Sequence, residues 1–402
     1  MNERKLFVAD SDNVIIFGAG TSFDAGIPLM AGFVEKMWEF AIRGQANGED
    51  LSETKREIFR NAMKIKHKLD HYHGRALFDD RNLEDILSIL SFNNIRNENN
   101  DLSDFVKAIA ETIELTCEVK YQHESHAIQE SGSKFYRRFW RRLFEWFKIT
   151  KKFPILMSYN YDLVFERSLF QTLNNNIFTD ETIPFKGLNI NYHYGNNYVY
   201  QYSVKGVRRA TIDPNKFGIK LVNDAYHDPL EIDILKLHGS LNFLRNGNDV
   251  KPPLTFAVEE PLILPPLFNK MSLSTSINQI WCKALNCLRN AKNVIIVGYS
   301  LPQTDIYMQY FLKSALGPNN DLHRIYVFDP ILFKNNTTSE QMRNRYASCF
   351  SPQLQSRIIF KPTIPWESPS GEFQFEEDYI EKCGGTFRHF VDMLNEKNNI
   401  LF

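Results

Sequence analysis

The side chains that could do chemistry are gathered in five short segments, each placed after an apolar run. Gly18-Ala19-Gly20-Thr21-Ser22 follows Val14-Ile15-Ile16-Phe17, and Ser158-Tyr159-Asn160-Tyr161-Asp162 follows Pro154-Ile155-Leu156-Met157. His238-Gly239-Ser240 follows Ile234-Leu235-Lys236-Leu237, and Gly298-Tyr299-Ser300 follows Val294-Ile295-Ile296-Val297. Asp329 follows Ile325-Tyr326-Val327-Phe328. Glycine lets the backbone turn tightly and approach a ligand. A helix beginning near Ser22 would aim its free N–H groups at a pyrophosphate. An amide such as Asn160 both donates and accepts, and imidazole, as at His238, exchanges a proton near neutral pH.

Continuous apolar runs of this kind suit strands of a parallel sheet covered on both faces. Ligands of open parallel sheets bind beyond the carboxyl ends of the strands. Five strand ends with glycine or polar side chains therefore describe one site. Arg357-Ile358-Ile359-Phe360 is a sixth strand candidate. From Phe33 to about Phe147 the pattern is helical: Phe105, Ile109, Ile113 and Cys117 recur every four residues, as do Leu83 and Leu87 beside Ile86 and Leu90. Phe135, Phe139, Leu143 and Phe147 mark a further helix, which also carries Arg137, Arg138, Arg141 and Arg142. The expected fold is α/β: a Rossmann-like parallel sheet with helices on both faces, in one domain over 1–402, with a large helical insertion at 33–150. The Asn- and Tyr-rich stretch 171–230 is a second insertion whose structure the sequence leaves open.

Composition narrows the function classes. With 402 residues and 43% hydrophobic content the chain can bury a large core, and its net charge of −1 gives no indication of nucleic-acid binding. Neither a signal peptide nor a stretch of roughly 20 apolar residues is present, so the expectation is a cytoplasmic protein with no membrane association. Five scattered cysteines without any C-x-x-C imply no disulfide framework and no cysteine zinc ribbon. His67, His71 and His73 have metal-like spacing but no matching carboxylate or cysteine set, and are read with His123 and His126 as solvated or packed. The four arginines near residue 140 are read as a solvated face or a subunit contact. No Gly-x-x-x-x-Gly-Lys-Ser/Thr loop is present, so ATP hydrolysis is assigned to another protein.

The first glycine loop is not the dehydrogenase fingerprint, because the third glycine position holds Phe23 and Gly26-Ile27-Pro28 follows instead. GAGTSFDAGIP, SYNYD, LKLHGS and VGYSLPQTD, in that order, resemble the successive signatures of sirtuin-type NAD-binding domains. They are most similar to a bacterial sirtuin-like branch of antiphage defence systems, including those encoded beside a HerA-type ATPase. The resemblance covers roughly residues 12–34, 152–170 and 232–330. Asn82-Leu83-Glu84-Asp85-Ile86-Leu87 and Ile263-Leu264-Pro265-Pro266 are similar to further segments of that branch.

The resemblance implies that Gly18, Ala19, Gly20, Thr21 and Ser22 hold the diphosphate, with Ile27 and Pro28 completing that part of the cofactor site. Asn160 would contact the nicotinamide ribose and position water, and Asp162 would read the nicotinamide carboxamide. His238 would act on the ribose hydroxyls as base or orienting partner, while Gly298, Ser300 and Asp329 line the adenosine half. Nicotinamide is a cationic leaving group and the ribose passes through an oxocarbenium-like state. The protein must therefore fix the ribose, place an acceptor and handle hydroxyl protons. Deacylases of the family carry a four-cysteine zinc ribbon, which is absent here, and a Phe-Arg that Met30-Ala31 replaces. The expectation is a zinc-free NAD glycohydrolase, with NAD as substrate, that makes nicotinamide and ADP-ribose. It would be an NAD-depleting effector of antiphage defence, homo-oligomeric and activated with a HerA-type ATPase partner. A non-catalytic NAD or ADP-ribose sensor or scaffold is the alternative, and a zinc-free deacylase or ADP-ribosyltransferase a third.

Overall fold

The computed structural model describes residues 13–71, 79, 81–96, 100–119, 130–174, 187–195, 198–204, 210–219, 230–245, 249–251, 253, 260–264, 275–303, 305–334, 336–364 and 385–394. The chain opens with β1 (Asn13–Phe17) and a four-residue helical turn α1 (Gly20–Phe23). There follow α2 (Phe33–Arg43), a small hairpin of β2 (Gln45–Ala46) and β3 (Glu49–Asp50), α3 (Glu53–Asp70), α4 (Leu83–Arg96), α5 (Asp101–Thr116) and α6 (Glu130–Thr150). Next come β4 (Ile155–Ser158), α7 (Val164–Asn174), β5 (Gly187–Asn191), β6 (Tyr198–Val204), β7 (Ala210–Ile219), β8 (Leu230–Lys236), β9 (Gly239–Leu244) and β10 (Pro261–Ile263). The last third holds α8 (Thr275–Arg289), β11 (Asn293–Val297), α9 (Ile306–Leu316), β12 (Arg324–Asp329), α10 (Thr337–Ala347), α11 (Pro352–Gln355), β13 (Ile358–Pro362) and α12 (Thr386–Met393).

One sheet runs β13-β12-β11-β1-β4-β8-β5-β6-β7. Its first seven strands are parallel, and β6 and β7 add an antiparallel extension. This is a Rossmann-like α/β sheet with helices around it. In the centre Ile15 stands between Leu156 and Ile295, and β1 and β11 are buried along their whole length. An apolar run with no polar alternation can satisfy both faces only in such a covered position. At the edge, Ile358, Ile359 and Phe360 of β13 are half-buried. The sequence leaves 171–230 open; its described part supplies β5 next to β8 and the antiparallel pair β6 and β7.

Between β1 and β4 lie α2 to α6. Phe105, Ile109 and Ile113 form the buried face of α5, which packs against α2, α3 and α4. Phe135, Phe139 and Leu143 do the same for α6, whose Trp140 donates to the Phe165 carbonyl of α7 at 2.9 Å. The arginine-rich face of α6 corrects the sequence reading for two of its four arginines: Arg137 is buried and Arg138 reaches Asp392 of α12 at 3.4 Å, whereas Arg141 is exposed and Arg142 pairs with Glu145 on the same exposed face at 2.8 Å. Among the described residues no helix is long and apolar enough to cross a membrane.

The C-terminal helix is fastened beside the first loop. The Asp24 carboxylate accepts the Phe387 and Arg388 amides at 2.7 and 3.0 Å, capping α12, and the Arg388 guanidinium donates to the Asp24 carbonyl at 3.2 Å. Burial lifts the Asp24 carboxyl to about 6, against the lowering influence of Arg388 and the amides. An unfolded aspartate titrates near 4. Between these values the folded chain holds a proton that the unfolded chain has lost, so stability falls as pH rises through that window, by roughly 3 kcal/mol in all. Asp24→Asn removes this titration. Its melting temperature relative to the unsubstituted protein is expected to rise from pH 4 to pH 7; parallel curves would contradict the assignment.

Candidate functional site

The sheet ladder continues past the strands and ties their ends together. Leu237 donates its amide to Ser158, Tyr159 to Phe17, Gly18 to Val297 and Gly298 to Phe328, at 2.8–3.0 Å. The five chemistry-bearing segments therefore sit side by side, in the order β12, β11, β1, β4, β8. Ser300 is half-buried just beyond β11, and Asp329 closes β12.

At the centre Asn160 clamps the first loop. Its Nδ2 donates to the Gly18 carbonyl at 2.9 Å, to Thr21 Oγ1 at 3.2 Å and to Ser22 Oγ at 2.7 Å. Since the Gly18 carbonyl can only accept, the amide nitrogen must face it and Oδ1 must face away. Oδ1 has no partner among the described residues. Ser22 then donates to Asp162 Oδ2 at 2.6 Å, while Asp162 Oδ1 accepts the Val164 amide at 3.0 Å and caps α7. Asn160, Ser22 and Asp162 thus form a relay ending on a buried carboxylate. A hydroxyl donating to a carboxylate is a stronger acceptor in turn. Both Asp162 oxygens are engaged inside the protein, so its placement suits fixing Ser22 more directly than reading a ligand carboxamide.

The loop itself differs from the open helix start that the sequence predicts. α1 is one turn long; the Gly20 amide donates to Gly298 at 2.9 Å, Thr21 to Gly18 at 2.9 Å and Ser22 to Ala19 at 3.1 Å. Only the Ala19 amide in this stretch has no partner among the described residues. The cause is close packing of two loops. A Cβ on Gly18 would lie 2.5 Å from the Gly298 carbonyl oxygen, and one on Gly298, whose φ is +65°, would lie 2.7 Å from the Thr21 nitrogen. Ile27 is buried, with its amide on the Ser22 carbonyl at 3.3 Å, and Pro28 is half-buried beyond it.

His238 occupies the turn between β8 and β9 and is 4% exposed; Asn160 is 8% exposed. A ligand therefore meets edges of these groups. The imidazole lies among Tyr159 at 5.2 Å, Tyr161 at 6.5 Å and Trp281 at 6.5 Å between ring centroids. Gly239 fixes the turn. Its φ is +87°, and a Cβ there would stand 1.9 Å from the Leu262 carbonyl oxygen of β10. Gly239→Ala is expected to destabilise the fold by roughly 3 kcal/mol, from backbone overlap and a left-handed φ together, read as a drop in the denaturant midpoint. An unchanged midpoint would contradict this.

On the far side burial pushes the Asp329 carboxyl up to about 6, over the opposing pull of the Ile331 amide and Arg345. Two of the residues that hold this loop were not legible in sequence. Tyr299 donates to Asp305 Oδ2 at 2.8 Å, and Asp305 also caps α9. Arg345 and Tyr346 of α10 hold the Ser300 and Tyr299 carbonyls at 3.1 and 2.6 Å. Asp305 could have been found as a cap before an apolar helix. The α10 pair, some 45 residues downstream, leaves no local signal. Among the described residues no group of three or more His, Cys, Asp or Glu could hold a metal ion. His67 and His71 are exposed, the ring of His71 resting on the His67 carbonyl at 2.8 Å. His73, His123, His126 and Cys383 lie outside the described residues.

No protein-family model and no curated protein matches the chain. Among solved structures it aligns with Sir2Tm bound to a propionylated peptide, over 84% of this chain and 92% of that one, at 12% identity and a TM-score of 0.26. It aligns likewise with a structure titled for the mechanism and regulation of Sir2 enzymes, over 85% and 94%, at 12% identity and a TM-score of 0.30. A third is Sir2 in complex with the inhibitor EX-527, 2′-O-acetyl-ADP-ribose and a deacetylated p53 peptide, over 84% and 93%, at 14% identity and a TM-score of 0.26. TM-scores this low carry no argument, and the fold stands on its own strand order and register.

Proposed function

We propose that this chain binds NAD across the ends of β12, β11, β1, β4 and β8 and hydrolyses it to nicotinamide and ADP-ribose. The observation that carries the proposal is the pairing of Asn160 with the glycine loop: its amide nitrogen is committed to the loop and its oxygen is not. That oxygen is suited to hold a ribose hydroxyl or a water. His238, on the neighbouring strand end, takes up the hydroxyl or water proton. The C1′–nitrogen bond breaks with its electron pair passing to the nicotinamide ring nitrogen, and water adds at C1′ and gives its proton to the base. Ala19 offers an open amide to the diphosphate, with Gly18, Gly20 and Thr21 shaping the loop and Ile27 and Pro28 behind it. Ser22 and Asp162 act as positioning residues, and Gly298, Ser300 and Asp329 meet the adenosine half.

The resemblance of the four signatures supports NAD as substrate, and the absence of a C-x-x-C pair supports water as acceptor without a zinc ribbon. In the wider proposal the chain is a cytoplasmic, homo-oligomeric effector of antiphage defence that depletes NAD when a HerA-type ATPase partner activates it. The segments 33–150 and 171–230 are insertions in a single domain and the places where such control would act. Incubation with NAD and an acetylated-lysine peptide, followed by chromatography, tests the chemistry. ADP-ribose in equal amount to nicotinamide, with the peptide unchanged, is expected; acetyl-ADP-ribose with a deacetylated peptide would overturn hydrolysis in favour of deacylation.

A further inference from the structure

We propose that Lys236 is a positioning residue whose buried ammonium ties the loop carrying Asn160 to the strand end carrying His238, an inference that rests on the NAD-cleaving role of that site. Lys236 is the last residue of β8, two before His238, and is 1% exposed. Its Nζ donates to the Asp162 carbonyl, two residues beyond Asn160. It also lies 3.4 Å from Oε1 of Glu166, a fully buried residue of the first turn of α7. Among the described residues that ammonium is the charge partner of Glu166. The Asp162 held in this way is the one that fixes Ser22 and caps α7.

The surroundings make the lysine conspicuous. Ile232, Ile234 and Leu235 on the same strand, and Leu237 just after it, are all buried and apolar. A buried ion pair commonly stabilises a fold less than apolar residues of the same volume would, because both charges are stripped of water. What the apolar alternative lacks is a donor for the Asp162 carbonyl. Burial pushes the Glu166 carboxyl above its ordinary range while Lys236 pulls it down, so a neutral side chain there should be well tolerated. The pair thus separates into a charge-balancing half and a positioning half.

Full-length Lys236→Met, Glu166→Gln and the double variant test this, through NAD turnover, NAD binding by calorimetry, thermal unfolding and exchange of the Val164 amide. Lys236→Met alone is expected to lose both stability and turnover, since it strands Glu166. The double variant should regain the melting temperature of Glu166→Gln and bind NAD within a few-fold of it, yet keep kcat lower by about 10²-fold. Recovery of kcat together with stability would overturn the proposal and leave Lys236 a mere counter-charge. If the unsubstituted protein turns over no NAD, hydrolysis itself has failed, and the Val164 amide then decides for Lys236. Faster exchange in the double variant than in Glu166→Gln supports the tie, and equal exchange refutes it. If the double variant does not fold, Lys236→Leu in the Glu166→Gln background, which likewise has no donor for the Asp162 carbonyl, carries the same comparison.

Discussion

Asn160→Ala is expected to lower NAD turnover by on the order of 10²–10⁴-fold while the protein stays folded. Two losses combine. The side-chain oxygen proposed to hold the ribose hydroxyl or water disappears, and so do the donations to Gly18, Thr21 and Ser22. The loop keeps its backbone bonds to Gly298 and Val297, so it remains in place but less firmly held. Asn160→Asp should be the harsher change. Its second oxygen would face the Gly18 carbonyl, which has no proton, and two hydroxyls whose protons already go to Gly18 and Asp162, so the melting temperature should fall along with turnover. Turnover is read by nicotinamide release and folding by circular dichroism. An Asn160→Ala enzyme within a few-fold of the unsubstituted rate would remove Asn160 from the chemistry.

His238→Ala carries an expected loss of similar size, on the order of 10²–10⁴-fold, for a different reason. Here the lost group is the proposed proton acceptor, and the void it leaves is lined by Tyr159, Tyr161 and Trp281 rather than by hydrogen-bond partners of the glycine loop. NAD affinity should change little, because the loop proposed to hold the diphosphate follows β1, two strands from β8. Small added bases such as imidazole should restore part of the rate to His238→Ala and none to Asn160→Ala. Residues acting as one unit are not additive, so the double variant should be little slower than the slower single variant. Additive losses would mean that the two act in separate steps.

The fold's centre was readable because burial on both faces leaves a plain trace. The runs beginning at Val14, Pro154, Ile234, Val294 and Ile325 each place at least three residues in a parallel strand of one sheet. The polar segments after them are adjacent for the same reason, since parallel strands present their carboxyl ends on one side. Less legible was what each residue contacts. The glycines at 18, 20 and 298 were visible, but their first service is to let two loops pack backbone to backbone, which no reading of one loop could show. The expectation of open amides failed with it. Asp162 was found as a carboxylate at a strand end, but its two internal partners come from residues 22 and 164. Contacts made across long separations, such as Arg345 to the Ser300 carbonyl or Asp24 to α12, have no local pattern to betray them. Lys236 left little trace, because Glu231 and Asp233 also put charges on β8 and only burial sets Lys236 apart. Its meaning needed Glu166 and the Asp162 carbonyl beside it.

The most direct test of one NAD-cleaving site at the strand ends is nicotinamide release measured beside NAD binding, for the unsubstituted protein and Asn160→Ala, each alone and with the proposed HerA-type ATPase partner. The account predicts that the unsubstituted protein releases nicotinamide and ADP-ribose in equal amounts, and that Asn160→Ala binds NAD and leaves it intact. NAD that binds the unsubstituted protein and survives under every condition would contradict hydrolysis and make the chain a sensor or scaffold.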